Sequence, residues 1–274
     1  MTQWSDGYIS ANDIQIHYNR TGSERPQILL LHGFTDNGLV WTPVARALEQ
    51  DYDVIMPDAR GHGLSDGPEK GFSVDLLVSD AAAVIQTLGL QQPYVLGHSM
   101  GAHVAARLAS THPELVRALL LEDPPWSRTK EPKPLPSDEQ TRLENERYTQ
   151  MQEIQAKPFA ERVATVLKEH PNWSQEEAQL LATANEQFRP EVFKMGLFEV
   201  AREWLVVVQD LVCSTLLITA DPDLGALVKP EIAKIAVDSW KDGQTVHIAG
   251  AGHSIRRDQF DNYIATVRQF LTEK

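Results

Sequence analysis

The clearest candidate for a reactive residue in this chain is a serine that lies between two glycines. Ser99 lies in the segment G-H-S-M-G at 97–101, after a short apolar run at 93–96 and before apolar residues at helical spacing. A G-x-S-x-G segment between a strand and a helix predicts a tight turn that presents the serine hydroxyl at the sheet edge, near the positive end of the helix. Such a turn strains the backbone and needs small neighbours. The segment therefore predicts a nucleophile for acyl transfer.

A serine nucleophile needs a base within hydrogen-bond reach, and His253 is the favoured candidate among the nine histidines. It lies between the last predicted strand and the last predicted helix, in the segment G-A-G-H-S at 250–254. Glycines beside it allow the loop to bring the imidazole over the sheet edge. We therefore expect His253 to take the proton of the serine.

The imidazole in turn needs a carboxylate that fixes its tautomer and stabilises the imidazolium. Asp221 and Asp223 both follow the predicted strand at 216–219, and we prefer Asp223 because it lies farther out in the turn. Asp123, at the end of the preceding strand, is a third candidate. We expect Asp123 instead to line the pocket or to bind loop backbone.

Two backbone N–H groups are predicted to bind the oxyanion of the tetrahedral intermediate. One belongs to Met100, at the start of the helix after the nucleophile, and the other to Phe34, in a loop after a buried strand. His32 is expected to brace this loop rather than to act as a second base, and Gly33 lets the chain turn. The segment R-G-H-G-L-S-D at 60–66 is expected to form a hydrogen-bonded loop under the oxyanion segment.

These candidates require a scaffold that brings distant segments to one edge. Strand and helix patterns alternate in both the first and the last part of the chain, which is typical of a parallel sheet with helices on its faces. The interval 124–211 differs, because a proline-rich stretch is followed only by polar helical patterns. The sequence predicts a core of residues 1–123 and 212–274 that is interrupted by a helical insertion at 124–211.

The amino-acid composition limits the classes of molecule that this protein is expected to bind. The net charge of −13 disfavours nucleic acid and anionic membrane surfaces as main partners. No apolar run approaches the roughly 20 residues of a membrane span, and the first residues lack the features of a signal peptide. The single cysteine, Cys213, excludes an internal disulfide and a cysteine-rich metal site. We expect a cytoplasmic monomer or homodimer that acts on a small molecule without a metal or cofactor.

Four segments together carry a family resemblance. They are His32-Gly33-Phe34, Asp58-x-Arg60-Gly61-His62-Gly63-x-Ser65, Gly97-His98-Ser99-Met100-Gly101 and Gly250-x-Gly252-His253. The combination resembles the α/β-hydrolase fold superfamily. The resemblance implies an eight-stranded, mostly parallel sheet with an antiparallel second strand, helices on both faces, and a helical cap over the site. One departure is Ala220, which stands where the acid turn of relatives usually begins with glycine.

The predicted reaction is hydrolysis of a small to medium carboxylic ester or lactone through an acyl-serine intermediate. A serine nucleophile in place of aspartate argues against haloalkane dehalogenase and epoxide hydrolase chemistry. Two enzyme alternatives share the same triad, namely a hydrolase of C–C bonds in vinylogous diketones and a perhydrolase. A ligand receptor of the same fold is the alternative without catalysis. The residues expected to line the substrate pocket are His32, Gly33, Asp123, Trp126 and Leu224.

Overall fold

The computed structural model describes residues 4–22, 24–126, 136–195 and 204–274, and these contain an eight-stranded sheet. The strands are β1 (Ser5–Ala11), β2 (Ile14–Arg20), β3 (Gln27–Leu31), β4 (Asp53–Pro57), β5 (Tyr94–His98), β6 (Ala118–Glu122), β7 (Ser214–Thr219) and β8 (Gly243–His247). Their order is β1-β2-β4-β3-β5-β6-β7-β8. Strand β2 runs antiparallel to β1 and β4, whereas the pairs from β4 to β8 are parallel. This confirms the predicted fold class.

The parallel strands inside the sheet are buried on both faces because helices cover the sheet on both sides. In β3, Ile28 and Leu30 pack into one hydrophobic cluster, whereas Leu29 and Leu31 pack into the other. Successive side chains of a strand point to opposite faces, so a continuous apolar run marks a strand that is buried on both sides. Because the sheet is packed on both faces, it gives the loops at its edge a fixed support.

Ten α-helices lie within the described residues. They are α1 (Thr42–Leu48), α2 (Val74–Thr87), α3 (Met100–Thr111), α4 (Ser137–Ala156), α5 (Phe159–Glu169), α6 (Gln175–Gln187), α7 (Trp204–Gln209), α8 (Pro230–Ser239), α9 (Ile255–Asp258) and α10 (Phe260–Glu273). Side chains of α1 and α10 share one cluster with the sheet, and those of α2, α3 and α8 share the other. The helices therefore form a layer on each face.

The described part of the segment between β6 and β7 contains helices and no strand, as the sequence indicates. Helices α5 and α6 pack on each other around a small apolar cluster that includes Val166 and Trp173. Helix α7 differs, because it packs against α3 and α8 and shares their apolar cluster. It therefore joins the core layer although it falls inside the predicted insertion. Residues 127–135 and 196–203 of that interval lie outside the described part of the chain, and the domain boundaries stay predictions.

Candidate active site

Ser99 occupies the tight turn that the sequence predicts between β5 and α3. Its backbone angles are φ 52° and ψ −117°, a strained conformation for a residue with a side chain. A Cβ atom on Gly97 would collide with the backbone of Gly101, and one on Gly101 would collide with the backbone of Leu31. The two glycines are thus required by close backbone approach. The Ser99 amide donates to the carbonyl of Glu122 at 2.9 Å, which ties the turn to β6.

His253 pairs with Asp123 and not with the predicted acid. Nδ1 of His253 lies 2.6 Å from Oδ2 of Asp123, whose side chain is fully buried, while the imidazole stays 34% exposed. The same carboxylate accepts the amides of Leu227 at 2.8 Å and Val228 at 2.9 Å. Asp123 itself has φ 39°, so the backbone holds its side chain in an uncommon direction. The carboxylate is therefore fixed from two sides against the histidine ring.

The structure corrects the choice of Asp223 as the partner of His253. Asp223 is exposed, in a short 3-10 turn at Pro222–Leu224. The alternative, Asp221, accepts Nε2 of His247 at 2.9 Å and the amide of Gly250 at 2.7 Å. It therefore braces the turn at Gly250 rather than the ring of His253. Asp223 was preferred because it lies farther out in the turn, but this position exposes its side chain to solvent instead of bringing it to His253.

His98, directly before the nucleophile, connects the serine turn to the histidine loop. Its Nε2 donates to the carbonyl oxygen of His253 at 3.0 Å, and the centroids of the two rings lie 4.7 Å apart. Burial, together with the charge of nearby Arg256, lowers the pKa of His98 well below its usual value. The ring is therefore neutral, with its proton on Nε2. This contact places Ser99 and His253 at the same edge of the sheet.

The loop after β3 lies beside the nucleophile, as predicted. A Cβ atom on Gly33 would lie 2.7 Å from Nδ1 of His98 and 3.4 Å from Cβ of Ser99. Nδ1 of His32 donates to the carbonyl of Gly33 at 2.8 Å, and its Nε2 accepts the amide of Ala59 at 2.9 Å. Both ring nitrogens of His32 are thus engaged by backbone. The histidine braces this loop, and it is not placed as a second base.

Two backbone amides are available at this point for a negative oxygen. Met100 is the first residue of α3, so its N–H has no acceptor within the helix. Phe34 follows Gly33 in a loop that turns sharply, with Thr35 at φ 65°. One predicted oxyanion residue thus follows Ser99 directly in α3, and the other follows Gly33, which lies against Ser99.

An aromatic cluster lies between this loop and the helical insertion. The partly exposed ring of Phe34 meets Phe188 and Phe193, each with a centroid distance of 5.4 Å, and Phe72 at 6.0 Å. Burial lowers the pKa of His62, which also packs here, to about 3, so that its ring is neutral. Phe188 and Phe193 are buried. Phe34, which follows Gly33 in the chain, is the member of this cluster that stays partly exposed.

Trp126 and Leu224, both predicted to line the pocket, differ strongly in their exposure to solvent. Trp126 is completely buried, because it stacks on Trp204 at 5.4 Å and its Nε1 donates to Nδ1 of His103 at 3.1 Å. Leu224 is 59% exposed on the surface turn after β7. Trp126 is thus a core residue, and Leu224 is a surface residue. His32 and Asp123 are also buried, and they brace backbone or His253 instead.

The segment at 60–66 forms the predicted bonded loop. Nδ1 of His62 donates to the carbonyl of Arg60 at 2.8 Å, and the Ser65 hydroxyl donates to the carbonyl of Asp58 at 2.7 Å. Arg60 is buried and pairs with Asp80 at 2.6 Å. The amide of Arg189, after α6, donates to the carbonyl of Gly61 at 2.9 Å. The loop therefore also supports the insertion.

Within residues 4–22, 24–126, 136–195 and 204–274, no three His, Cys, Asp or Glu side chains are grouped so that they would hold a metal ion. No helix in the described ranges combines the length and the apolar character needed to cross a bilayer.

The chain also matches a known protein family. A model of the alpha/beta hydrolase fold family matches residues 26–256. The chain belongs to this family.

Among curated proteins, this α/β-hydrolase is similar to N-formylmaleamate deformylase of Pseudomonas putida, with 38% identity over 122 residues. The match covers 44% of this chain and 46% of that protein. It is also similar to 2-(acetamidomethylene)succinate hydrolase of Mesorhizobium japonicum, with 36% identity over 123 residues, 43% of this chain and 44% of that protein. The matched segments thus span less than half the length of these relatives.

Solved structures share the fold of this α/β-hydrolase over nearly its whole length. An N-formylmaleamic acid deformylase from Pseudomonas putida gives a TM-score of 0.80 at 23% identity and covers 96% of this chain and 100% of that one. An enol-lactonase from Burkholderia xenovorans gives a TM-score of 0.77 at 19% identity and covers 97% and 100%. At such identities the likeness concerns the fold.

Proposed function

We propose that this protein is a serine hydrolase that cleaves a small to medium carboxylic ester or lactone through an acyl-Ser99 intermediate. One observation carries the proposal. A strained serine at φ 52° and a histidine whose Nδ1 lies 2.6 Å from a buried carboxylate are joined at one sheet edge through His98. A serine, a base and an orienting acid are the three groups that acyl transfer requires.

In the proposed reaction, Nε2 of His253 takes the Ser99 proton while Oγ attacks the carbonyl carbon. The amides of Phe34 and Met100 bind the oxyanion, and loss of one such donor typically costs about 3 kcal/mol. His253 then gives the proton to the leaving alkoxide as the C–O bond breaks. Water, deprotonated by the same ring, attacks the acyl-enzyme and releases the acid. Asp123 holds the ring in the tautomer that has its proton on Nδ1.

The substrate side of the proposal depends on the aromatic cluster. Phe34 is the partly exposed aromatic group beside the nucleophile, and Phe188 and Phe193 support it from the insertion. An apolar surface of this kind favours a partly apolar acyl or alcohol group. The chain's charge of −13 adds no general attraction for anions.

A second candidate is hydrolysis of an N-acyl bond. It is favoured by the curated relatives, which are named a deformylase and a hydrolase of an acetamido compound. The same groups serve this reaction, with His253 protonating the leaving nitrogen instead of an oxygen. Esters and N-formyl compounds of equal size, compared by kcat/KM, separate the two candidates.

Covalent labelling tests the proposal directly. A fluorophosphonate probe is expected to add once to the native chain, on Ser99, and not to a Ser99→Ala variant of equal thermal stability. Turnover of p-nitrophenyl acetate and butyrate is expected in the native protein alone. An unlabelled native protein without turnover, but with tight binding of a lactone, would instead identify a receptor.

A further inference from the structure

A buried ion cluster lies behind the catalytic histidine, and the proposed chemistry does not use it. It consists of two guanidinium groups and three carboxylates, all nearly inaccessible to solvent. The members, called the ion cluster below, are Asp36, Glu122, Glu177, Arg256 and Arg257. Charges are costly to bury unless each is paired, so this arrangement is not a default way to fill a core.

Asp36 is the centre of the ion cluster. Its Oδ2 lies 3.3 Å from a terminal nitrogen of Arg256, and its Oδ1 lies 3.0 Å from a terminal nitrogen of Arg257. Arg256 also contacts both carboxylate oxygens of Glu122, at 3.3 and 3.2 Å, and donates its backbone amide to that residue at 3.0 Å. Arg257 reaches Glu177 at 3.3 Å. One carboxylate thus bridges two adjacent arginines.

The ion cluster connects three of the segments that supply groups for the proposed reaction. Asp36 lies two residues after Phe34, and its amide donates to the Gly33 carbonyl at 3.2 Å. Glu122 directly precedes Asp123, and the two arginines follow His253 in α9. The oxyanion loop, the acid and the base therefore share one set of ion pairs.

The same cluster reaches the insertion. Glu177 lies in α6, and the guanidinium of Arg257 stacks over Trp173, 4.9 Å from the ring centroid. Nε1 of Trp173 donates to Asp258 at 2.7 Å, and the other oxygen of Asp258 accepts the amide of Gly252 at 2.8 Å. The insertion is thus attached to the residue that precedes the catalytic histidine.

We propose that Asp36 is a positioning residue, which sets the oxyanion loop relative to His253 by bridging Arg256 and Arg257, and that Glu177 sets the insertion over the site through the same cluster. The inference rests on the proposed function, because it assigns the geometry of that reaction. Two separate effects follow. Loss of the Asp36 charge misplaces groups that act in the transition state, whereas loss of the Glu177 contact moves a wall of the pocket.

The test compares Asp36→Asn with Asp53→Asn. Asp53 is an equally buried carboxylate that pairs with Arg20 at 2.6 Å, but it lies at the amino end of β4, the opposite edge of the sheet. We expect Asp36→Asn to lower kcat for p-nitrophenyl acetate by about 10²-fold with little change in KM, as a misplacement of about 1 Å does. Asp53→Asn is expected to lose thermal stability and to keep kcat.

Two conservative variants complete the test. Glu177→Gln is expected to raise KM while kcat stays unchanged. Arg257→Lys keeps the charge but loses the planar group that bridges two carboxylates, and it is expected to lower kcat by about tenfold. Across the series, affinity for a trifluoromethyl ketone analogue should fall in parallel with kcat/KM, a correlation that a merely stabilising cluster would not produce.

The outcomes separate the inference from the proposed function. A native protein that neither reacts with the fluorophosphonate probe nor turns over esters contradicts the function itself. A reactive native protein with folded Asp36→Asn at native kcat contradicts the inference alone. If Asp36→Asn does not fold, Arg257→Lys decides, because native kcat in that variant reduces the ion cluster to a stabilising role and overturns the inference.

Discussion

Nδ1 of His253 lies 2.6 Å from Oδ2 of Asp123, although 130 positions separate the two residues in the chain. The order of the strands in the sheet explains why these two residues are in contact. Strand β6 lies between β5 and β7, so the residue after β6 is adjacent to the turn of Ser99 on one side and to the loop after β7 on the other. An acid at the end of β6 can thus serve a base that the last loop delivers.

The first prediction concerns this acid. Replacing Asp123 by Asn is expected to lower kcat by about 10⁴-fold, because an amide does not hold the imidazole in the required tautomer. Asp223→Asn and Asp221→Asn are expected to stay within about twofold of the native kcat. Ester turnover, with thermal melting as a folding check, measures all three variants. A crippling effect at Asp223 with native activity at Asp123 would reverse the assignment.

A second prediction concerns the space beside the nucleophile. In Gly33→Ala, the new Cβ would lie 2.7 Å from Nδ1 of His98, whose ring is held through Nε2 by the carbonyl of His253. The ring must shift, and with it the histidine loop. We expect kcat to fall by at least about tenfold and fluorophosphonate labelling to slow in proportion. Native rates in a folded Gly33→Ala protein would show that His98 yields without moving His253.

A third prediction concerns chain-length preference. Phe34→Ala removes the aromatic surface but keeps the backbone amide, so it should reduce kcat/KM for p-nitrophenyl butyrate relative to acetate by about tenfold. Phe159→Ala is the matched control, because Phe159 is 42% exposed on α5 and does not contact the Phe34 cluster. An unchanged ratio in Phe34→Ala would place the acyl chain elsewhere.

The pH dependence of stability supplies a fourth prediction. Burial lowers the pKa of His103 to about 4, and its Nδ1 accepts Nε1 of Trp126. The folded ring is neutral, whereas the unfolded ring takes up a proton below pH about 6.5. Stability must therefore fall as pH falls from about 6.5 to about 4, and no further loss from this group follows below that value.

His103→Asn tests this sign, because its side-chain oxygen keeps an acceptor for Trp126 and does not titrate. The free energy of unfolding in urea should depend less steeply on pH in the variant, by about 1.4 kcal/mol per pH unit around pH 5. His62, another buried neutral ring, contributes equally to the pH dependence of stability in both proteins. Equal slopes in the two proteins would mean that His103 is protonated in the folded state.

The sequence predicts the parts of this molecule that depend on local backbone constraints. Ser99 needs Gly97 and Gly101 because the backbone approaches itself there, and such a need is visible in a five-residue segment. Strand β3 is likewise recognisable, since burial on both faces requires an unbroken apolar run. The position of His253 follows from glycines that free a loop at a known edge.

What the sequence alone does not predict depends on which long-range partners meet. Asp123 and Asp223 both follow strands, and only the sheet register shows that one faces His253 while the other is exposed. A signal existed, because Ala220 departs from the usual acid turn and Asp123 stands at the end of a strand beside β5. Arg256 and Arg257, two adjacent positive charges three and four residues after His253, were a second signal.

The order of the groups along the chain has a practical consequence. Ser99, Asp123 and the oxyanion amides all precede the helical insertion, whereas His253 follows it. A polypeptide divided within α4 would thus yield two fragments, each lacking part of the proposed catalytic machinery, and neither is expected to turn over an ester. Under the proposed function, recovered turnover on mixing would report their reassociation, and the divided chain would serve as a split reporter.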